Sequence, residues 1–179
     1  IVEVRPHAPH ASTMEDLASA AFAGQHETFL NVVGVAGVLD RVRGCFVSLW
    51  ADRAIAYRHQ QGFDHAHAAM AVVVQQMVPS ESAGVGFSIN PVNGQLGEMV
   101  INANFGLGES VVSGEGEVDQ WILDKTTRAV RSANIGRKSR QVVGAASGTR
   151  AVDSAGADAA KPSVSEGQLL ALAEAGKDL

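Results

Sequence analysis

The side chains best suited to chemistry lie in two stretches near the middle of the chain. Gln75 and Gln76 close the apolar run Ala71-Val72-Val73-Val74, immediately before Met77-Val78. A pair of amides at the end of a buried strand offers donors and acceptors side by side, as reading the edge of a flat heterocycle requires. By strand alternation, one of the two would otherwise be an ordinary solvent-facing glutamine. Further along, Gly106-Leu107-Gly108-Glu109-Ser110 sets bare backbone beside a carboxylate, which suits phosphate or a metal-bound phosphate. Glu109 has two readings there: a pocket-rim carboxylate, or a helix-start carboxylate satisfied by neighbouring N–H groups. Upstream, Gly24-Gln25-His26-Glu27-Thr28 is a donor-tipped loop that fits either a phosphate cover or a surface turn. Arg5 stands at a strand end beside loop residues, where an exposed charge is the plain alternative.

Other chemistries find less support. His7, His10, His65 and His67 fall in two distant loops with no cysteine beside them, so a zinc site is not expected. The phosphate-loop pattern G-x-x-x-x-G-K-[ST] does not occur. The single cysteine, Cys45, shares an apolar stripe with Val42, Phe46 and Leu49 and reads as a small core residue. One cysteine permits no internal disulfide and suits a reducing compartment. A net charge of −5 argues against a general nucleic-acid or membrane-surface binder. The basic run Arg128 to Arg140 lacks interleaved aromatics and reads as a solvated face or a phosphate-side loop. No apolar run approaches the roughly 20 residues that cross a bilayer, and no signal peptide is visible, so a cytoplasmic protein is expected.

These residues must be positioned by elements whose patterns are readable. Ile1 to Arg5 alternates as a strand, and Ser12 or Thr13 opens a helix with Glu15 and Asp16 in its first turn. Val38, Val42, Cys45, Leu49, Arg53 and Ala56 recur at helical spacing, which predicts one helix over 38–61, ended by Gly62. Strands follow at 71–78, 84–89 and 98–102, punctuated by Pro79, Pro91 and Gly94, and Glu98 alternates with Met99 as a surface strand residue. Residues 121–125 and 128–132 read as a hairpin about Lys125-Thr126-Thr127. The Gly-, Ala- and Asp-rich residues 147–162 read as a flexible connector, after which Ser163–Ser165 opens a last helix through Gln168, Leu169, Leu170, Leu172 and Ala173. The expected organisation is a main body over 1–146, the connector over 147–162 and the start of a helix over 163–179. The 46% hydrophobic content is ample for a packed core.

The order of the motifs is more specific than any one of them. VVVQ-x-MV, then AGV-x-F-x-x-NP-x-x-G, then A-x-x-GLGE-x-VVSG, then D-x-x-x-LDK resembles the N-terminal pyruvate/phosphoenolpyruvate-binding region of dikinase-type phosphotransferases. That family includes phosphoenolpyruvate synthase, pyruvate phosphate dikinase and rifampicin phosphotransferase. Upstream, Phe22 to Val32 (FAGQHETFLNV) is similar to the family loop F-A-G-Q-x-E-T-x-L-N-V, and Cys45 to Arg58 is similar to the helix that follows it. The Asn90-Pro91-Val92-Asn93-Gly94 turn looks more like rifampicin phosphotransferase than bacterial phosphoenolpyruvate synthase.

The resemblance implies an α/β (α+β) domain of ATP-grasp type, incomplete at both ends, with a mainly antiparallel sheet and flanking helices. It implies ATP and Mg2+ as cofactors and a phosphohistidine domain of a longer chain as partner. It places Arg5, Gly24, Gln25, Thr28 and Glu109 toward the phosphates and Gln75, Gln76, Met77 and Val78 toward adenine, the last two through their backbone. The phosphoryl group would pass from ATP to a histidine and then to a hydroxyl, giving AMP and phosphate. A rifamycin-like antibiotic is the favoured acceptor, which would make this an antibiotic-resistance enzyme. The alternatives are a phosphoenolpyruvate synthase fragment acting on pyruvate, and a non-catalytic nucleotide-binding or interaction module. The family's D-x-E-W and Q-x-R segments, which would supply the metal ligands, do not occur in these residues and are expected beyond Leu179. The chain alone is therefore expected to bind nucleotide without turning it over, and to hold no catalytic residue. Where the family reads R-S-S-A-T-A-E-D-L, this chain runs from Arg5 through Pro6 and Pro9 to Asp16-Leu17 and is longer.

Overall fold

In a computed structural model, the backbone of residues 2–7 and the whole of 28–114, 117–154 and 159–176 are described. The chain packs as two compact units, residues 1–78 with 144–149, and residues 79–143 with 150–179. Both are mixed α/β with antiparallel sheets.

The first unit is built on strands β1 (Val2–His7), β2 (Phe29–Val32) and β3 (Ala71–Gln76), in the order β2-β1-β3. β1 is central, pairing β3 from Val2↔Gln76 to His7↔Ala71. Its pairing with β2 slips by a bulge between Val2↔Val32 and Val4↔Phe29. Helix α1 (Gly34–Ser48) sets Cys45 against Val32, with Phe29, Val38, Val42, Met70 and Val72 packed around them. Cys45 is thus a core residue, as its helical spacing indicated.

The single helix expected over 38–61 is two. α1 ends in tightened bonds, Trp50 N to Val47 O at 2.9 Å and Ala51 N to Ser48 O at 3.2 Å, while the Ser48 hydroxyl bonds back to the Cys45 carbonyl at 2.7 Å. Ala51 is extended, and α2 (Asp52–Gln61) restarts with Asp52 in its first turn. A serine that competes for backbone carbonyls and an acid that favours a helix start lie four residues apart, and together they divide one apolar periodicity. α2 closes as the sequence indicated, with Gly62 at φ 72° and Phe63 N bonded to Arg58 O at 2.9 Å.

The second unit carries a four-stranded sheet, β4 (Ser82–Phe87), β5 (Glu98–Phe105), β6 (Asp119–Asp124) and β7 (Val130–Asn134), in sequential order. Alternate residues Met99, Ile101 and Ala103 of β5 and Trp121 and Leu123 of β6 form one apolar face. Val164 and helix α4 (Glu166–Ala175), through Leu169 and Ala173, cover it. α4 opens on Ser165, whose hydroxyl accepts from Gln168 N while the Gln168 side chain accepts from Ser165 N at 2.8 Å, a reciprocal cap. α3 is one turn, Glu109–Val112. The 147–162 stretch carries β9 (Thr149–Asp153), paired with β8 (Arg140–Gly144).

Candidate functional site

Gln75 and Gln76 are the last residues of β3, both exposed, opposite Glu3 and Val2 of β1. Met77 follows half-buried, and Val78, 72% exposed, ends the first unit. The backbone N–H of Asn31 donates to Met77 Sδ at 3.0 Å, tying the thioether to β2. The main chain from Gln76 to Val78 therefore leaves the ladder at an exposed sheet end, with its alternating N–H and C=O groups beside two amide side chains. That is the donor and acceptor set a heterocycle edge needs.

The same sheet positions two of the phosphate-side candidates, Arg5 and Thr28. Arg5 lies on β1 opposite Val73, two positions along β3 from Gln75, or about 7 Å at the rise of a strand. Thr28 is exposed and immediately precedes β2, and the Val4↔Phe29 pair makes Arg5 and Thr28 the next positions on their two strands. Gly24 and Gln25 lie outside the described residues. Glu109 belongs to the second unit, exposed at the first position of α3.

The glycine loop has a local explanation beside its proposed one. Gly106 has φ 78°, and a Cβ there would collide with the Val142 carbonyl. Its N–H bonds Glu81 O and the Leu107 N–H bonds Val142 O, both at 2.8 Å. Those two donors already serve the fold. At Gly108 a Cβ would meet only Ala83 Cβ at 3.5 Å, an ordinary contact.

Three polar clusters were not legible as such. Asp119 and Lys138 are fully buried and paired, Lys138 Nζ lying 2.6 Å from Asp119 Oδ1. Gly136 N bonds Oδ1 at 3.0 Å, and Ser163 bonds Oδ2 through N at 2.6 Å and Oγ at 2.7 Å. Lys138 lies in the basic run read as a solvated face or a phosphate-side loop; its ammonium instead pairs with a buried carboxylate. Glu98, expected on the surface, is buried because Asn90 and Asn93 fold over it, donating at 2.7 and 3.3 Å, with Arg131 at 3.1 Å. These donors, Asn90 first, hold its pKa below the ordinary carboxylate value. Asp124 is drawn down to about 2 by the Thr127 N–H, then by the Arg131 guanidinium. The third is Asn31, whose left-handed backbone (φ 53°) and buried side chain the apolar run Phe29-Leu30-Asn31-Val32 signals only by the oddity of an asparagine within it.

Among the described residues no three His, Cys, Asp or Glu side chains form a group that could hold a metal ion. His65 Nδ1 accepts from Arg58 Nε at 3.1 Å, and His67 pairs with Asp64 at 2.9 Å. Among the described residues no helix is long and apolar enough to cross a membrane.

The family described as pyruvate phosphate dikinase, AMP/ATP-binding domain, matches residues 3–179. The chain belongs to this family. It is similar to phosphoenolpyruvate synthase of Pyrococcus furiosus, 47% identical over 133 residues that make up 74% of this chain and 16% of that protein. It is similar also to the probable phosphoenolpyruvate synthase of Methanocaldococcus jannaschii, 47% identical over 74% of this chain and 11% of that one. The Aeropyrum pernix phosphoenolpyruvate synthase is 42% identical over 78% of this chain and 17% of its own length. The chain thus spans about a sixth or less of these relatives. They correct one expectation: the dikinase-family likeness runs to phosphoenolpyruvate synthases, and the rifampicin phosphotransferase reading drawn from Asn90 to Gly94 is not supported. That turn is accounted for locally by the Asn90 and Asn93 bonds to Glu98.

Proposed function

We propose that this chain is the ATP-binding part, ATP-grasp in type, of a phosphotransferase of the phosphoenolpyruvate synthase kind. The reading is supported chiefly by the exposed end of β3, where the amides of Gln75 and Gln76 stand beside the backbone of Met77 and Val78, on the sheet that carries Arg5 and is entered from Thr28. Arg5, Thr28, Gly24 and Gln25 take the phosphate side, a forked guanidinium and a hydroxyl being suited to phosphate oxygens. Glu109, in the second unit, is a further phosphate-side candidate. In the full-length protein, ATP and one water would give a phosphorylated histidine on a further domain, AMP and phosphate, and the phosphohistidine would pass its phosphoryl group to pyruvate. Magnesium, when bound, supplies charge neutralisation on the transferring phosphates. On its own the chain is expected to bind adenine nucleotide without forming AMP, because the family's D-x-E-W and Q-x-R segments do not occur in it.

The acceptor is tested by incubating the full-length protein with ATP and pyruvate. AMP, phosphate and phosphoenolpyruvate are expected in equal amounts. AMP release that depends on a rifamycin and not on pyruvate would restore the other acceptor.

A further inference from the structure

We infer that Asn31 is a positioning residue for the adenine-reading edge; the inference rests on the nucleotide reading above. Asn31 is 5% exposed and stands at the bulge of β2, with φ 53°. Few residues other than glycine adopt that backbone, and asparagine is several-fold enriched among those that do. The conformation has a consequence on each side of the residue. Its N–H, released from the regular ladder by the bulge, donates to Met77 Sδ at 3.0 Å. Its side-chain Nδ2 donates to the carbonyls of Ala145 at 2.6 Å and Gly148 at 2.7 Å, and its own carbonyl accepts from Gly148 N at 3.0 Å. All these partners belong to the first unit.

The side chain and the backbone of Asn31 therefore perform linked tasks. Two carbonyls gripped by one amide hold the residue in its left-handed turn, and that turn aims the N–H at the thioether. Met77 is anchored inward, and the main chain at 76–78 is held at one height and rotation beside Gln75. Base selection by backbone groups depends on that register, because a small displacement exchanges well-aligned hydrogen bonds for misaligned ones. No other neutral side chain of this size supplies two donors here while tolerating φ 53°. Aspartate would set anionic oxygen against two carbonyls, and glycine would keep the backbone but lose both donors.

The test measures ATP, GTP and inorganic tripolyphosphate affinities of the full-length protein and of Asn31→Gly, Met77→Leu and Gln75→Ala. Asn31→Gly is expected to lower the ATP:GTP preference about tenfold while leaving tripolyphosphate affinity unchanged. Met77→Leu, which keeps the volume and removes the acceptor, shifts the preference in the same direction by less, and decides the matter if Asn31→Gly does not fold. Equal weakening of all three ligands would mean a structural role only and would overturn the inference. A wild-type preference retained in Asn31→Gly, or in Met77→Leu if that variant decides, overturns it too. Loss of preference in Gln75→Ala without loss in Asn31→Gly sinks this inference alone. A wild-type protein that does not distinguish ATP from GTP removes the nucleotide reading and this inference with it.

Discussion

The sheet end of the first unit and the Asp119 cluster of the second use similar residue types to opposite ends. Around Asp119 every partner is internal: a buried lysine, a serine and two backbone N–H groups occupy both carboxylate oxygens. At the end of β3 the amides are exposed, the strand stops, and the next residues are held in place by a sulfur contact from a strained neighbour. A buried polar group must find its partners within the fold, or folding costs too much. A polar edge exposed at a strand end can be reached by a ligand. Polarity alone does not separate the two, and the location of the partners does.

The largest expected effect is on the buried side of this comparison. Asp119→Ala leaves Lys138 buried without a counter-charge and should cost about 3–5 kcal/mol, measured as a fall in the urea midpoint. Replacing Lys138 by methionine as well should recover only part, because the N–H groups of Gly136 and Ser163 still lose their acceptor. On the open side, Arg5→Ala or Thr28→Ala should leave stability nearly unchanged and weaken ATP by roughly 1.5–3 kcal/mol, about ten- to a hundredfold in Kd. Cys45→Ser, a change within the core, should alter stability and leave turnover intact. A mutant that loses turnover at full stability would put Cys45 in the site.

Gly106→Ala combines a positive φ with a collision at Val142 O and should cost about 1–3 kcal/mol of stability. Gly108→Ala should cost little stability, so any loss of ATP affinity it causes reports on phosphate approach. The smallest effect is on pH. Asp124 has a folded-state pKa of about 2 against an ordinary 3.8, so its contribution is complete above about pH 4 and fades as pH falls toward 2. Asp124→Asn should flatten the acid limb of a stability profile in that window. An unchanged limb would assign the loss to other carboxylates.

Strands and caps that depend on local pattern were readable in the sequence. The period-two faces of β5 and β6, the Ser165 cap of α4, the Gly62 stop and the valine run of β3 all follow from neighbouring residues. What escaped depends on distant partners. Lys138 reads as one more cation in a basic run until Asp119 and Ser163 are brought against it. Glu98 alternates as a surface residue should, and is buried only because the loop at Asn90 to Asn93 folds back over it. The break at Leu49 to Ala51 carries no glycine or proline, so the apolar spacing ran through it. For the candidate site, motif order nominated Gln75 to Val78, whereas the bulge and the left-handed turn at Asn31, whose N–H meets Met77, carried no sequence signal beyond an asparagine in an apolar run.

Whether the end of β3 reads adenine is decided by competition binding of ATP against GTP to the full-length protein. Adenine offers an amino donor beside a ring-nitrogen acceptor, and guanine reverses that pattern. A backbone edge in register with the first opposes like groups with the second, at about 1–3 kcal/mol for each buried unpaired group. A preference for ATP of at least about tenfold, reduced in Gln75→Ala, is expected. Equal affinities for the two nucleotides would contradict it and would make Gln75 and Gln76 ordinary strand-end residues.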